Sequence, residues 1–229
     1  MSSYWTSRSY CCIKTFLRLR KTARQCVAMS SNRYREPLAP TSPIQRTTKL
    51  ERTARRLNVT EFRSCQPTTM NRDTFVAHFA DVYEHSPWVA EAVYDQGLNA
   101  EDDHIENLHL KMASTLLNAD QGKQLALINA HPDLAGRAAV NGELTESSTK
   151  EQAGAGIDQC SAEEFEKFTS YNNSYKSRFN FPFIMAVKGA NRYQILESFE
   201  MRLGNDSETE FATAIQEINK IAMFRLWDM

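Results

Sequence analysis

The apolar run FPFIMAV at residues 181–187 limits most strongly what this chain can fold into. It is the only segment after residue 70 whose composition suits a β-strand, and a single strand without a partner is not stable in water. We therefore expect an extended or partly helical buried segment there. Because the other apolar residues after residue 70 recur at helical spacing, the sequence predicts an all-α fold with one core.

Start and stop signals divide this region into amphipathic helices joined by short turns. Helix starts are predicted at Asn71 or Asp73, at Ser86-Pro87, at Asp120, and at the capping-box pairs Ser161 with Glu164 and Ser207 with Glu210. One apolar helix face is predicted at Ile105, Leu108, Met112 and Leu116. Gly204-Asn205 would end a helix with a left-handed residue.

Charge divides the chain into two unlike parts. Residues 1–69 carry 14 Lys and Arg against 3 Asp and Glu, whereas residues 70–229 carry 13 against 25. The second part contains a single cysteine, Cys160, so no disulfide can form within it. We therefore predict a basic N-terminal extension over residues 1–69, followed by one helical domain over residues 70–229.

The basic extension fits three interpretations that its composition does not separate. It has no acidic residue before Glu36 and is rich in Arg and Ser, which is typical of an organelle transit peptide. It could equally be a disordered basic arm, or upstream in-frame translation with Met70 as the true start. No run is long and apolar enough for a membrane span, and no aromatic pattern among the arginines suggests base stacking. We expect neither a membrane nor a nucleic-acid partner.

His131 lies four residues after Leu127 and three after Ile128, on the apolar face of its predicted helix. Pro132 forces it out of helical geometry, so we expect it where a helix ends against the core. Spacing alone favours a histidine that caps the last carbonyls of its helix. The other interpretation is an acid–base imidazole with a pKa near the working pH.

Ser148 and Glu151 also have the spacing of a capping box, which is a purely structural interpretation. Against it, Lys150, Glu151 and Gln152 offer three different hydrogen-bonding groups in a row. The following AGAG allows a ligand or a second element to approach closely. Spacing leaves the two interpretations open.

Arg225 falls on the core face that Phe211, Ile215, Ile218 and Ala222 define in the last predicted helix. An arginine there could complement the C-terminal end of the helix dipole. It could equally be a buried guanidinium that binds a carboxylate, for which its planar fork is suited.

Other kinds of chemistry have little support in the sequence. His104 and His109 are five residues apart and do not share a helix face, and there is no CxxC, so we predict no metal site. The chain has neither a P-loop nor a GxGxxG motif. The residue types that remain indicate acid–base chemistry without a cofactor.

Six blocks of this sequence, in order and in register, resemble the 2-oxo-4-hydroxy-4-carboxy-5-ureidoimidazoline (OHCU) decarboxylase family of urate degradation. The resemblance covers about residues 70–226. The blocks are SPWV at 86–89, HPDLAGRAA at 131–139, SxxEQAGAGID at 148–158, FPFIMAVKG at 181–189, RLGN at 202–205 and IAMFRL at 221–226. Nothing in residues 1–69 belongs to the pattern.

The resemblance implies a compact all-α homodimer that needs no metal or organic cofactor and converts the small molecule OHCU to (S)-allantoin and carbon dioxide. It implies that His131 is the catalytic acid–base residue and that Glu151 is its partner. The substrate-binding residues that it implies are Pro132, Ser148, Gln152, Phe183, Ile184, Met185, Ala186, Val187 and Arg225.

The resemblance also implies a peroxisomal location, although the C-terminal SKL of some family members is missing here. The stretch RLRKTARQC at residues 18–26 only partly resembles an N-terminal peroxisomal signal, so the mitochondrion and the cytosol stay open. The alternative from a different functional class is a non-catalytic helical binding or scaffold module that has kept the fold.

Overall fold

The computed structural model describes residues 59–136 and 142–229. Predictions that fall on residues 1–58 or 137–141 lie outside this part. The described residues form α-helices and short 3-10 turns, with no β-strand among them, which confirms the all-α prediction. The helices are α1 (Arg72–Phe79), α2 (Trp88–Asp95), α3 (Ile105–Asn118), α4 (Gln121–Ala130), α5 (Glu146–Gly154), α6 (Ala162–Phe179), α7 (Arg192–Arg202) and α8 (Ser207–Trp227).

Helix α8 is the longest of these helices and packs against α3, α4 and α6. Its buried face includes Ile215, Ile218 and Ala222, and Arg225 continues the same face. The apolar face predicted for α3 is confirmed, because Ile105, Leu108, Met112 and Leu116 are all buried. One contiguous core therefore forms around α8, and it carries an arginine near its edge.

The segment at residues 181–187 runs between α6 and α7 without helical or strand structure. Phe183 and Ile184 are buried, and the Phe183 ring stacks on Phe199 with centroids 3.7 Å apart. The prediction of an extended buried segment is confirmed. Its side chains are anchored in the core while its backbone is left without a sheet partner.

Helix starts agree with the prediction where the cap is local. Asn71, Asp120 and Ser161 each accept a hydrogen bond from the first turn of their helices, and Glu164 completes the capping box at Ser161. The predicted cap at Ser86 is wrong, because α2 starts after Pro87 with no side-chain cap. The predicted left-handed stop after α7 is also wrong, since α7 ends through Leu203 in right-handed geometry.

The capping box predicted at Ser207 with Glu210 is wrong, and at Ser148 with Glu151 the structure excludes the capping interpretation that spacing left open. Both findings bear on the buried charges. Helix α8 is capped by Asp206, not Ser207, and Glu210 lies fully buried inside the fold. Helix α5 is capped by Thr145, whose side chain accepts from the Ser148 N–H. The side chains of Ser148 and Glu151 are therefore not needed to cap α5 and can form hydrogen bonds inside the fold.

Residues 59–69 pack against the helical part of the chain. Phe62 is buried with its ring 5.6 Å from that of Phe79. The Thr60 N–H donates to Glu106 at 2.7 Å, and the Thr68 N–H donates to Asp103 at 2.9 Å. Contacts thus extend upstream of the domain boundary predicted at residue 70. No helix in the described part of the chain has the length and apolar character that crossing a membrane requires.

Candidate active site

His131 ends helix α4 in extended geometry, with φ −78° and ψ 136°, as Pro132 predicts. Its Nδ1 lies 2.9 Å from the Leu127 carbonyl oxygen. Because a carbonyl can only accept, Nδ1 carries the proton, and Nε2 keeps the lone pair of the neutral ring. The capping interpretation and the acid–base interpretation are therefore compatible, since each uses a different nitrogen.

The imidazole of His131 is buried, and this burial lowers its pKa below the ordinary value. The Leu127 carbonyl and the Glu84 carboxylate act in the opposite direction without reversing the shift. The ring is therefore neutral at neutral pH and able to accept a proton at Nε2.

Helix α5 presents Ser148, Glu151 and Gln152 on one face, because positions three and four apart lie together on a helix. Ser148 and Gln152 are buried. The Gln152 Oε1 accepts from the Ala135 N–H at 3.1 Å, which ties α5 to the turn that follows His131. Ala135 itself has a positive φ of 53°, so this turn is held in an uncommon conformation.

Arg225 lies beside Glu151 and holds its carboxylate with two hydrogen bonds, from Nε at 2.8 Å and from Nη2 at 3.1 Å. Nη2 also forms an ion pair with Glu84 Oε2 at 2.8 Å, and Nη1 donates to the Asp81 carbonyl oxygen at 3.1 Å. Burial lowers the pKa of Arg225, but the two carboxylates outweigh this and raise it. The guanidinium is thus fully engaged within the protein.

Glu84 is the member of this cluster that the sequence did not reveal. It is only 2% exposed, and its Oε1 accepts from Thr145 Oγ1 at 2.7 Å and from Ser148 Oγ at 3.1 Å. Burial raises its pKa, but Arg225 and the Thr145 hydroxyl outweigh this and hold the pKa below its ordinary value. The signal available in the sequence was an acidic residue directly after the apolar pair Val82-Tyr83.

A small cavity of about 30 Å³ brings together most of the predicted site residues. Its lining residues are His131, Pro132, Leu134, Ser148, Glu151, Gln152, Phe183, Ile184, Met185, Val187 and Ile221. Ala186 and Arg225 do not line it. The Ala186 N–H instead donates to Glu217 at 3.0 Å, and Arg225 reaches the cavity through Glu151.

The cavity combines a neutral imidazole, an arginine-held carboxylate, a hydroxyl and an apolar wall. Such a set can orient a small polar molecule and transfer protons on one face of it. Among the described residues, no group of three or more His, Cys, Asp or Glu side chains could hold a metal ion.

Known proteins are similar to this chain in sequence and in fold. The sequence model of the family described as OHCU decarboxylase matches residues 68–227. The chain is 40% identical over 159 residues to the 2-oxo-4-hydroxy-4-carboxy-5-ureidoimidazoline decarboxylase of Halalkalicoccus jeotgali, covering 69% of this chain and 86% of that protein. It is 34% identical over 161 residues to the protein of the same name from Xenopus laevis, covering 70% and 90%.

Solved structures agree with the sequence comparisons. The crystal structure of an (S)-allantoin synthase superposes with a TM-score of 0.56 at 28% identity. That match covers 71% of this chain and 51%, about half, of the other. The crystal structure of an OHCU decarboxylase in the presence of (S)-allantoin superposes with a TM-score of 0.50 at 21% identity, covering 61% and 87%, and shows a shared fold.

Proposed function

Because the chain belongs to the OHCU decarboxylase family, we propose that it is a carboxy-lyase of urate degradation that converts OHCU to (S)-allantoin and carbon dioxide. The observation that carries this proposal is the cavity in which His131, Ser148, Glu151 and Gln152 meet the apolar wall. These side chains come from the end of α4 and from one face of α5.

The reaction needs orientation and proton transfer more than it needs an added electron sink. The carboxylate of OHCU sits on a ring carbon next to a C=N bond. When the C–C bond to the carboxylate breaks, its electron pair enters the imine, as in a β-keto acid. The imine nitrogen takes up one proton from the solvent to balance the charge. The hydroxyl on the carbon that carried the carboxylate then gives up its proton to become a carbonyl, and the neighbouring ring carbon gains a proton.

His131 supplies the acid–base group in this scheme. Its neutral Nε2 takes the hydroxyl proton, and the imidazolium returns a proton to the ring carbon from the same side. Glu151, held as a carboxylate by Arg225, orients the polar edge of the substrate beside His131. Delivery from one side gives one enantiomer.

Arg225 acts through Glu151 in this proposal. The family resemblance implies that it binds the substrate directly, and that contact stays a prediction. Its three guanidinium nitrogens already bind Glu151, Glu84 and the Asp81 carbonyl, and it does not line the cavity. A direct contact would cost one of these buried interactions, so a positioning role is the simpler assignment.

The proposed function is tested with purified protein and freshly generated substrate. Formation of chiral allantoin, followed by circular dichroism, is the expected result. The alternative, a non-catalytic helical module, predicts that allantoin forms at the spontaneous rate and without a preferred enantiomer. A racemic product in the presence of folded protein would contradict the proposal.

We also propose that the protein is a homodimer, as the family resemblance implies. Leu110 and Leu117 support self-association, since they lie seven residues apart on α3 and are 58% and 56% exposed. Sedimentation equilibrium should give twice the chain mass of 26.2 kDa.

A peroxisomal location likewise stays a proposal, and a fluorescent protein fused behind residues 1–69 would test it by microscopy.

A further inference from the structure

A second buried ion pair, outside the cavity, joins Arg202 at the end of α7 to Glu210 in α8. Glu210 is fully buried, and its Oε2 accepts from Arg202 Nε at 3.0 Å and from Nη2 at 2.8 Å. The Tyr175 hydroxyl binds the same oxygen, and Asn205 Nδ2 donates to Oε1 at 2.6 Å. Both oxygens of the Glu210 carboxylate therefore have hydrogen-bond partners, whereas Nη1 of Arg202 does not bind Glu210.

That remaining nitrogen binds the wall of the cavity. Arg202 Nη1 donates to the Ile184 carbonyl oxygen at 2.6 Å, and the guanidinium carbon lies 4.3 Å from the centroid of the Phe183 ring. Phe183 and Ile184 both line the cavity, whereas Arg202 does not. One arginine therefore holds two successive wall residues, by a hydrogen bond and by a cation–π contact.

The wall has little else to fix its backbone. Residues 183–186 belong to no helix or strand, so regular hydrogen bonding does not set their position. Among the described residues, a second side-chain contact to this backbone comes from Glu217 on α8, whose Oε2 accepts from the Ala186 N–H at 3.0 Å. The placement of the wall therefore depends on these polar side chains together with the packing of Phe183 on Phe199.

We propose that Arg202 is a positioning residue for the reaction, which fixes Phe183 and Ile184 so that the wall fits the substrate opposite His131. The proposal rests on the proposed function, because the wall matters only if the substrate binds there. It also explains a buried ion pair whose contribution to stability alone is small or unfavourable compared with apolar packing.

Arg202→Lys is the variant that tests this role. Lysine keeps a positive charge for Glu210 but cannot hold the Ile184 carbonyl and the Phe183 ring with the same planar group. We expect KM for OHCU to rise about 10-fold while kcat stays within about 2-fold, since the proton-transfer groups are untouched. Kinetics are measured well below the melting temperature of each protein.

Arg192→Lys is the matched control. Arg192 is at the start of the same helix and pairs with Glu164, but it has no contact with the wall. Its replacement should lower the melting temperature without changing KM. If Arg202→Lys behaves in the same way, with a lower melting temperature and a wild-type KM, the pair is only structural and the proposal is overturned.

A second variant covers the case in which Arg202→Lys does not fold. Glu217→Ala leaves the ion pair of Arg202 and Glu210 intact and removes the acceptor of the Ala186 N–H from the same wall. A rise in KM at constant kcat supports positioning of the wall from outside, and an unchanged KM overturns it. Absence of turnover by the wild-type protein would instead contradict the proposed function.

Discussion

The two ring nitrogens of His131 have different tasks. Nδ1 donates to the Leu127 carbonyl and fixes the ring at the end of α4, which leaves Nε2 available to the cavity. Asparagine can replace the Nδ1 donor with its amide but has no titratable group. His131→Asn should therefore keep the melting temperature close to the wild-type value and lower kcat by about 100-fold or more. Near-normal turnover would return His131 to a capping role.

Acidic pH should act on the same residue. The folded protein holds the pKa of His131 below its ordinary value, so the proton binds more readily in the unfolded chain. The free energy of unfolding should fall as the pH drops below about 6.5, the ordinary histidine value. The activity, which needs the neutral ring, should fall only as the pH passes the lower, folded pKa. Denaturant melts and kcat/KM against pH measure the two effects.

Glu84 should lower the free energy of unfolding in a second, more acidic pH range. Its folded pKa lies below the ordinary value, so its contribution is complete above about 4.3 and is lost as the pH falls through the folded pKa. The variant His131→Asn should keep the loss of stability due to Glu84. It should reduce but not abolish the loss that begins below the ordinary histidine pKa, because burial also lowers the pKa of His109. An unchanged loss in that range would mean that His131 does not contribute to it.

Arg225→Lys separates the roles that the sequence left open. Lysine cannot bind Glu151, Glu84 and the Asp81 carbonyl together. We therefore expect the free energy of unfolding to fall by about 1.5 to 3 kcal/mol and kcat/KM to fall by the corresponding factor of about 10 to 150. Direct substrate binding alone predicts a loss in kcat/KM without a loss in stability. Complementing the helix dipole predicts almost no change in either.

The control for this variant is Arg178→Lys, because Arg178 is an exposed arginine in the last turn of α6 that donates to the Asn205 carbonyl. It should change neither quantity measurably. Thermal melts and initial rates on the two proteins decide between the three roles.

Glu151→Gln should remain folded, since Glu84 still balances the charge of Arg225, but should be nearly inactive.

At the scale of elements, the cap of α5 connects helix formation to the site. Thr145 accepts from the Ser148 N–H and donates to Glu84, so Thr145→Val loses both contacts with little change in shape. We expect a loss of about 1 kcal/mol in stability together with a lower kcat/KM. Ser161→Ala, at the cap of α6, should lose similar stability and keep wild-type kinetics. An equal kcat/KM in the two variants would show that the cap of α5 has no role in catalysis.

Local patterns predicted the elements better than they predicted the buried charges. Helix faces and the extended segment at residues 181–187 follow from periodicity within a few turns. The spacing of Ser207 with Glu210 is also local and gave a wrong prediction, because Glu210 pairs with Arg202 across the turn between α7 and α8. The spacing of Ser148 with Glu151 left the role of Glu151 open, because its partner Arg225 lies 74 residues away. Spacing along the chain cannot reveal a partner that the fold brings from elsewhere, which is also why Glu84 was missed.

At the scale of the whole molecule, the extent of the folded domain can be tested by truncation. A protein that starts at Val59 keeps Phe62 in the core and should have the wild-type kcat/KM. A protein that starts at Met70 loses that side chain, worth about 1.5 to 3 kcal/mol when buried, and the contact of Thr68 with Asp103. It should melt at a lower temperature. Equal melting temperatures would show that the upstream contacts do not stabilise the domain.

The contact between Arg225 and the Asp81 carbonyl joins positions 144 residues apart, and it has a consequence for the order of folding. Helices form from neighbours in sequence and can appear early, whereas a contact of this span must wait until most of the chain is arranged. The same guanidinium holds Glu151 through its Nε and Nη2, so Glu151 is held in place only after α8 has reached α5. During refolding from denaturant, decarboxylase activity should therefore return after the far-ultraviolet circular dichroism signal, and the interval between the two would time the closing of the site.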